Sequence, residues 1–178
     1  MQWRTHRSKG HTLTELIVVI AIIVIISTAA IVSFSGLSEA VALRNAAREL
    51  ATNIRKAQNL ALVVSQTPGG GPAPQRFGLR ISSSPGISYY LCADANNSGT
   101  CTTSEKLGAD VAFAHGVNIN AVSPNPLHLM FVAPEAYAQF NDGSGMPQPI
   151  SSVTISLRSP KNLTKSVTVK VSGQVTVQ

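Results

Sequence analysis

The sequence is poor in the residues that build catalytic and metal centres. Its 178 residues hold two cysteines and four histidines. The cysteines, Cys92 and Cys101, form no C-x-x-C pair, and His115 and His128 stand alone without a second ligand at metal spacing; both absences argue against redox and metal chemistry. Gly143-Ser-Gly145 lacks the pattern of a nucleophile elbow, and Gly69-Gly70-Gly71 lacks the lysine of a phosphate loop. The chain therefore reads as non-enzymatic. Acidic residues are scarce too, 8 against 14 basic ones, for a formal net charge of +6. Arg4, Arg7 and Lys9 account for three of the positives, so the high isoelectric point is partly a topology signal and weak grounds for nucleic acid. Charge is missing altogether from Leu16 to Ser38, no proline precedes Pro68, and no internal repeat is visible.

What is there begins with Lys9-Gly10-His11-Thr12-Leu13-Thr14-Glu15, which runs directly into the apolar segment Leu16 to Ile26. At ~1.5 Å per residue, the uncharged stretch is long enough to cross a hydrocarbon core. A carboxylate at its head is costly, ~2.5–3.5 kcal/mol on insertion scales, and so asks for a partner. A secretory signal peptide would have a shorter core ending in small residues, which Ala29-Ala30 only faintly imitates. A plain single-span anchor has no use for the glutamate. Basic residues on the short N-terminal side predict a cytoplasmic N-terminus and an extracytoplasmic remainder.

This arrangement resembles the type IV prepilin signature, a glycine before the cut followed by Thr-Leu-x-Glu. The resemblance implies cleavage after Gly10 by a prepilin peptidase and N-methylation of His11. It implies that Glu15 pairs with the amine of a neighbouring subunit during assembly. His11 departs from the usual phenylalanine. The implied protein is a structural subunit, a minor pilin or pseudopilin, of a type IV pilus or a type II secretion pseudopilus. Its partners would be other subunits, the peptidase, membrane lipids and an inner-membrane assembly platform. Its location would be the inner membrane, with a single pass and the N-terminus in the cytoplasm, and then the fibre. The other readings are a DNA-binding minor pilin for uptake and a membrane-anchored binding domain that never polymerises.

The leader's end at Gly10 and the assembly role of the helix are what the resemblance implies, and the other boundaries follow from composition. Residues 1–10 read as a leader, 11–35 as a transmembrane and assembly helix, and 36–66 as its amphipathic continuation. In that continuation Leu43, Ala47, Leu50, Ile54, Ala57, Ala61 and Val64 recur at steps of four and three. Helix from Leu13 to Val64 would be about 78 Å long, straight or jointed at Gly36. Small alanines in the stripe predict close packing against a sheet, with a coiled-coil dimer as the alternative. Residues 67–76 form a Gly/Pro linker, and 77–178 a β-rich head. Strands are expected at 77–81, 87–93, 117–121, 127–132, 153–158, 167–171 and 174–177, the last two joined by a hairpin at Ser172-Gly173. The fold class is α+β, a long helix packed on a small antiparallel sheet or sandwich, as in pilins. Glu49-Leu50-Ala51, Leu129-Met-Phe131 before Ala133-Pro134, and the closing Val167 to Val175 resemble the H-type minor pseudopilin (GspH/FimT) branch.

Within the head, Asp94 to Glu105 fits the calcium-loop template D-x-[DNS]-x-[DNS]-G-x5-E. Asp94, Asn96, Ser98, Thr100 and Glu105 would supply oxygens to Ca2+. With two carboxylates, affinity should sit near ~10⁻⁴–10⁻³ M. The same residues suit a polar turn without metal, and Asn96 also matches a bacterial glycosylation acceptor pattern. Cys92 and Cys101, outside the cytoplasm, are expected to form a disulfide. Arg158, Lys161, Lys165 and Lys170 follow the last acid, Asp142, and are the candidate phosphate contacts for DNA.

Overall fold

The computed structural model of the chain describes residues 12–64, 75–84 and 86–178. It divides into two compact units, one through Ser38 and one from Glu39 to Gln178. Among the described residues a single α-helix, α1 (Leu13–Val64), is followed by nine strands. They are β1 (Arg76–Ile81), β2 (Ser88–Asp94), β3 (Val111–Ala112), β4 (Asn118–Ala121), β5 (Leu127–Val132), β6 (Tyr137–Asn141), β7 (Ser152–Arg158), β8 (Thr164–Lys170) and β9 (Val175–Val177), with a 3-10 turn at Thr103–Glu105.

The strands form two antiparallel sheets, β3-β2-β1-β5-β6 and β4-β7-β8-β9. This is the expected α+β architecture. The helix stripe Leu43, Ala47, Leu50, Ile54, Ala57 and Ala61 is buried, as its three-and-four spacing requires. It shares one core with Phe77, Leu79, Ile81, Leu129 and Phe131 of the first sheet and Val153, Ile155, Leu157, Val167 and Val169 of the second. The stripe is thus covered by the chain's own sheets. Asn53 donates to the Tyr89 hydroxyl at 2.7 Å, pinning helix to sheet. Burial pushes that phenol up to about 12, with the Glu49 charge adding to the rise and the Asn53 hydrogen bond opposing it.

Two details differ from the pattern expected of the sequence. β3 and β6 are additional strands, and β8 begins at Thr164 rather than Val167. The hairpin at Ser172-Gly173 forms, with Gly173 at φ +80° and its amide donating to the Lys170 carbonyl at 2.8 Å. Only glycine adopts that conformation without strain.

The first sheet is covered on both faces. Its second face carries a small cluster of Tyr90, Cys92, Met130 and Cys101. Gly78 lies between Cys92 and Met130 in the strand register. A Cβ there would strike the Leu129 carbonyl oxygen and come within 2.7 Å of the Met130 sulfur. The glycine makes room for that layer.

Candidate functional site

The N-terminal site starts from the helix cap. Thr12 Oγ1 accepts from the Glu15 amide at 3.3 Å, and the Thr12 carbonyl accepts from the Leu16 amide at 3.2 Å. Thr-x-x-Glu is capping spacing, which sets Glu15 in the first turn, at the positive end of the helix dipole. Gly10 and His11, the expected processing residues, lie outside the described residues. From Leu16 to Ile26 every large apolar side chain is at least half exposed, and they point to all sides of the helix. A helix apolar all round is stable only when something apolar surrounds it. The Thr28 hydroxyl donates to the Ile25 carbonyl at 2.8 Å, so this polar group is satisfied without water. Among the described residues no helix is long and apolar enough to cross a membrane.

The second candidate site is the loop after β2. Cys92 and Cys101 are joined by a disulfide, with Cα atoms 5.7 Å apart. Asp94 is fully buried. Its Oδ1 accepts from the Ser98 amide at 2.9 Å and its Oδ2 from the Gly99 amide at 2.8 Å, with Arg76 Nη1 3.7 Å away. Asn96 Oδ1 also accepts from the Ser98 amide, and the Ser98 and Thr100 hydroxyls pair at 2.8 Å. Glu105 turns back to accept from the Ala95 and Thr102 amides and the Thr102 hydroxyl. Burial alone would raise the Glu105 carboxyl, but the Thr102 and Ala95 hydrogen bonds outweigh it and hold it below the usual range. The oxygens of the calcium template are thus engaged by the loop's own donors, as in Asx turns and helix caps.

His128 of β5 ties this loop to the sheet. Its side chain is buried, and Nδ1 accepts from the Cys101 amide at 2.7 Å. Tyr90 Oη donates to the Cys101 carbonyl at 2.9 Å, so both backbone groups of that cysteine are held. A ring nitrogen that accepts must be unprotonated. Burial pushes the His128 pKa down and the Arg80 charge pushes it further, while Asp142 and Asp94 pull upward. The consequence for stability has a definite sign. The unfolded chain takes up a proton near pH 6.5 and the folded chain only at lower pH. The contribution is therefore complete above about pH 6.5 and is lost as pH falls below it, with a slope of at most ~1.4 kcal/mol per pH unit. Melting curves should show this loss well above the range where carboxylates titrate. His128→Asn, which keeps an acceptor but cannot titrate, should flatten the curve there; an unchanged slope would assign it to other groups.

Sequence reasoning passes over His128 as a lone histidine. The available signal is the run Leu127 to Val132, apolar but for His128 itself, which marks a strand buried on both faces.

The four basic residues considered for DNA do not share one patch. Lys165 pairs with Leu157, whose face is turned to the core. Arg158 and Lys170 sit at opposite ends of the β7–β8 pair. Lys161 lies 3.5 Å from Glu39, which also accepts from the Lys161 amide.

Compared with known families, residues 5–31 match the family model for the prokaryotic N-terminal methylation motif. No match was found among curated proteins or among solved structures. The motif is that of structural rather than catalytic proteins, and it covers the Thr12 cap, Glu15 and the apolar turns that follow. With that motif at its head, and a helix followed by antiparallel sheets behind it, the chain is similar to type IV pilin- and pseudopilin-type proteins.

Proposed function

We propose that the chain is a minor pilin or pseudopilin subunit, cleaved after Gly10, N-methylated on His11 and built into a fibre through its N-terminal helix. The observation that carries this reading is a helix apolar on all sides with one carboxylate in its first turn. In this reading the uncharged stretch from Leu16 to Ser38 sits in the inner membrane before assembly, and in a bundle of like helices afterwards. Glu15 answers the new terminal amine of a neighbour. The Cys92–Cys101 disulfide supports a head on the oxidising side of that membrane. The closing β8–β9 hairpin and the helix-to-sheet order support the H-type minor pseudopilin branch. The scattered basic residues favour an assembly role over DNA uptake.

The Asp94–Glu105 loop is read as a turn that caps itself. A rise in melting temperature on adding millimolar calcium would return it to the cation reading.

Mass spectrometry of the chain purified from membranes tests the main proposal. The expected N-terminus is a methylated His11. A chain that retains Met1 would sink it.

A further inference from the structure

The second face of the first sheet carries a cavity of about 180 Å³ that the assembly reading leaves unused. Tyr90 lines it, and two cations are held against the Tyr90 ring. The Arg80 guanidinium lies 5.9 Å from the ring centre and the Lys106 ammonium 4.4 Å. The register sets this up, since Arg80 of β1 stands directly opposite Tyr90 of β2. Aromatic faces attract cations and fix their position. Lys106 is also paired with Asp110 at 2.6 Å. Arg80 has no such acceptor: among the described residues its side chain makes no hydrogen bond or ion pair. The hydroxyls of Ser84, Ser88 and Thr103 line the same cavity and are likewise unengaged among the described residues.

We propose that this cavity binds the carboxylate end of an acidic sugar, a uronate-type unit of a polysaccharide. Three features select that chemistry. The planar guanidinium of Arg80 matches a carboxylate bidentately, which an ammonium cannot do. Arg80 and Lys106 against Asp110 leave one net positive charge on the wall. That suits a monoanion, and Asp110 would repel the second charge of a phosphate. Asp110 and the three hydroxyls can also pair with the hydroxyl groups of a sugar ring, which a simple carboxylate lacks. The volume is below the ~300–1,000 Å³ of ordinary small-molecule sites, enough for one ring and no more. The proposal is independent of the assembly reading, which rests on the N-terminal helix.

The test is a ligand-observed NMR titration of the full-length chain in detergent, with glucuronate, glucose, acetate and inorganic phosphate as probes. Glucuronate should bind with a millimolar dissociation constant, and each of the other three at least about tenfold more weakly. Arg80→Gln should weaken glucuronate about tenfold or more without changing the melting temperature, and Arg80→Lys should fail to restore it. If Arg80→Gln lowers the melting temperature, the double variant Ser88→Ala, Thr103→Ala carries the test, because those hydroxyls hold nothing in the fold. It should weaken binding several-fold. Glucose, acetate or phosphate binding as tightly as glucuronate would overturn the proposal, as would full affinity in the variant that stays folded.

Discussion

Glu15→Leu is expected to leave the protein in the membrane and remove it from fibres. The two effects have opposite energetic signs. Leucine removes a carboxylate that costs ~2.5–3.5 kcal/mol in an apolar segment, so insertion should be as good or better. On the proposed reading assembly should fail, because the amine exposed by cleavage would lose its counter-charge at the place where two helices must come into register. An unpaired charge taken from water into a helix bundle costs several kcal/mol, so the subunit in the sheared fibre fraction should fall by at least about tenfold. Glu15→Ala should behave the same way. Glu15→Asp keeps the charge on a shorter arm and should recover part of the incorporation. Immunoblots of fibre and membrane fractions give the readout, and mass spectrometry of each variant shows whether His11 is still the first residue. That control separates a failure of pairing from a failure of cleavage. Incorporation of Glu15→Leu at the native level, with normal cleavage, would remove Glu15 from the assembly chemistry and leave the helix as an anchor.

Much of this fold can be read from spacing alone. The helix emerges as the pattern dictates, because an uncharged apolar run and a three-and-four stripe both have helical period, and no proline interrupts them. That stripe marks Leu50 and Ile54 as core residues, and both are fully buried. β6 shows where such reading stops. In Tyr137-Ala-Gln-Phe-Asn141 only Ala138 and Phe140 face the core, and two apolar positions in five residues are too faint a period to stand out beside the turn at 133–136. The second face of the first sheet is illegible for another reason. Its residues include Arg76, Arg80, Asp94 and His128, which read as solvent-facing until loops from elsewhere in the chain are folded over them.

The Asp94 loop makes the same point about sites. Spacing of Asp, Asn, Ser and Gly fits a calcium loop because a cation needs oxygens converging on one point. A tight turn needs those oxygens converging on backbone amides, with glycine at the same place. Gly99 has φ +78°, a requirement that both geometries share. What distinguishes them is where the acceptors are engaged, and that depends on three-dimensional contacts such as the Asn141 side-chain amide donating to the Gly99 carbonyl at 2.8 Å. The disulfide is legible because the basic N-terminal side predicts both cysteines outside the cytoplasm, where a bridge is expected. His128 gives no such cue, since its partner is a backbone amide, and backbone donors carry no sequence signature.

Loss of the Cys92–Cys101 bridge should be the largest single blow to the head short of emptying its core. Closing so short a loop restrains the unfolded chain by ~2–3 kcal/mol in the entropy model. For a head of this size that corresponds to a fall in melting temperature of about 6–12 °C. The double variant Cys92→Ala, Cys101→Ala is the clean comparison, because a single replacement leaves a reactive thiol. The head should still fold. Its helix-and-sheet core holds neither cysteine, and the loop keeps the amide bonds to Asp94, the Asn141 contact, and the grip of His128 and Tyr90 on residue 101. These contacts also predict a coupling. With the bridge gone, the His128 and Tyr90 hydrogen bonds are what hold residue 101 to the sheet, and only the first is lost on protonation, so acidification from about pH 6.5 downward should destabilise the double variant at least as steeply as the native chain. Hydrogen exchange at the Cys101 amide, now an alanine amide, would report the same loosening locally. Equal melting temperatures for the native and bridge-free chains would mean that the polar contacts alone hold the loop, and that the bridge adds nothing to the stability of the head.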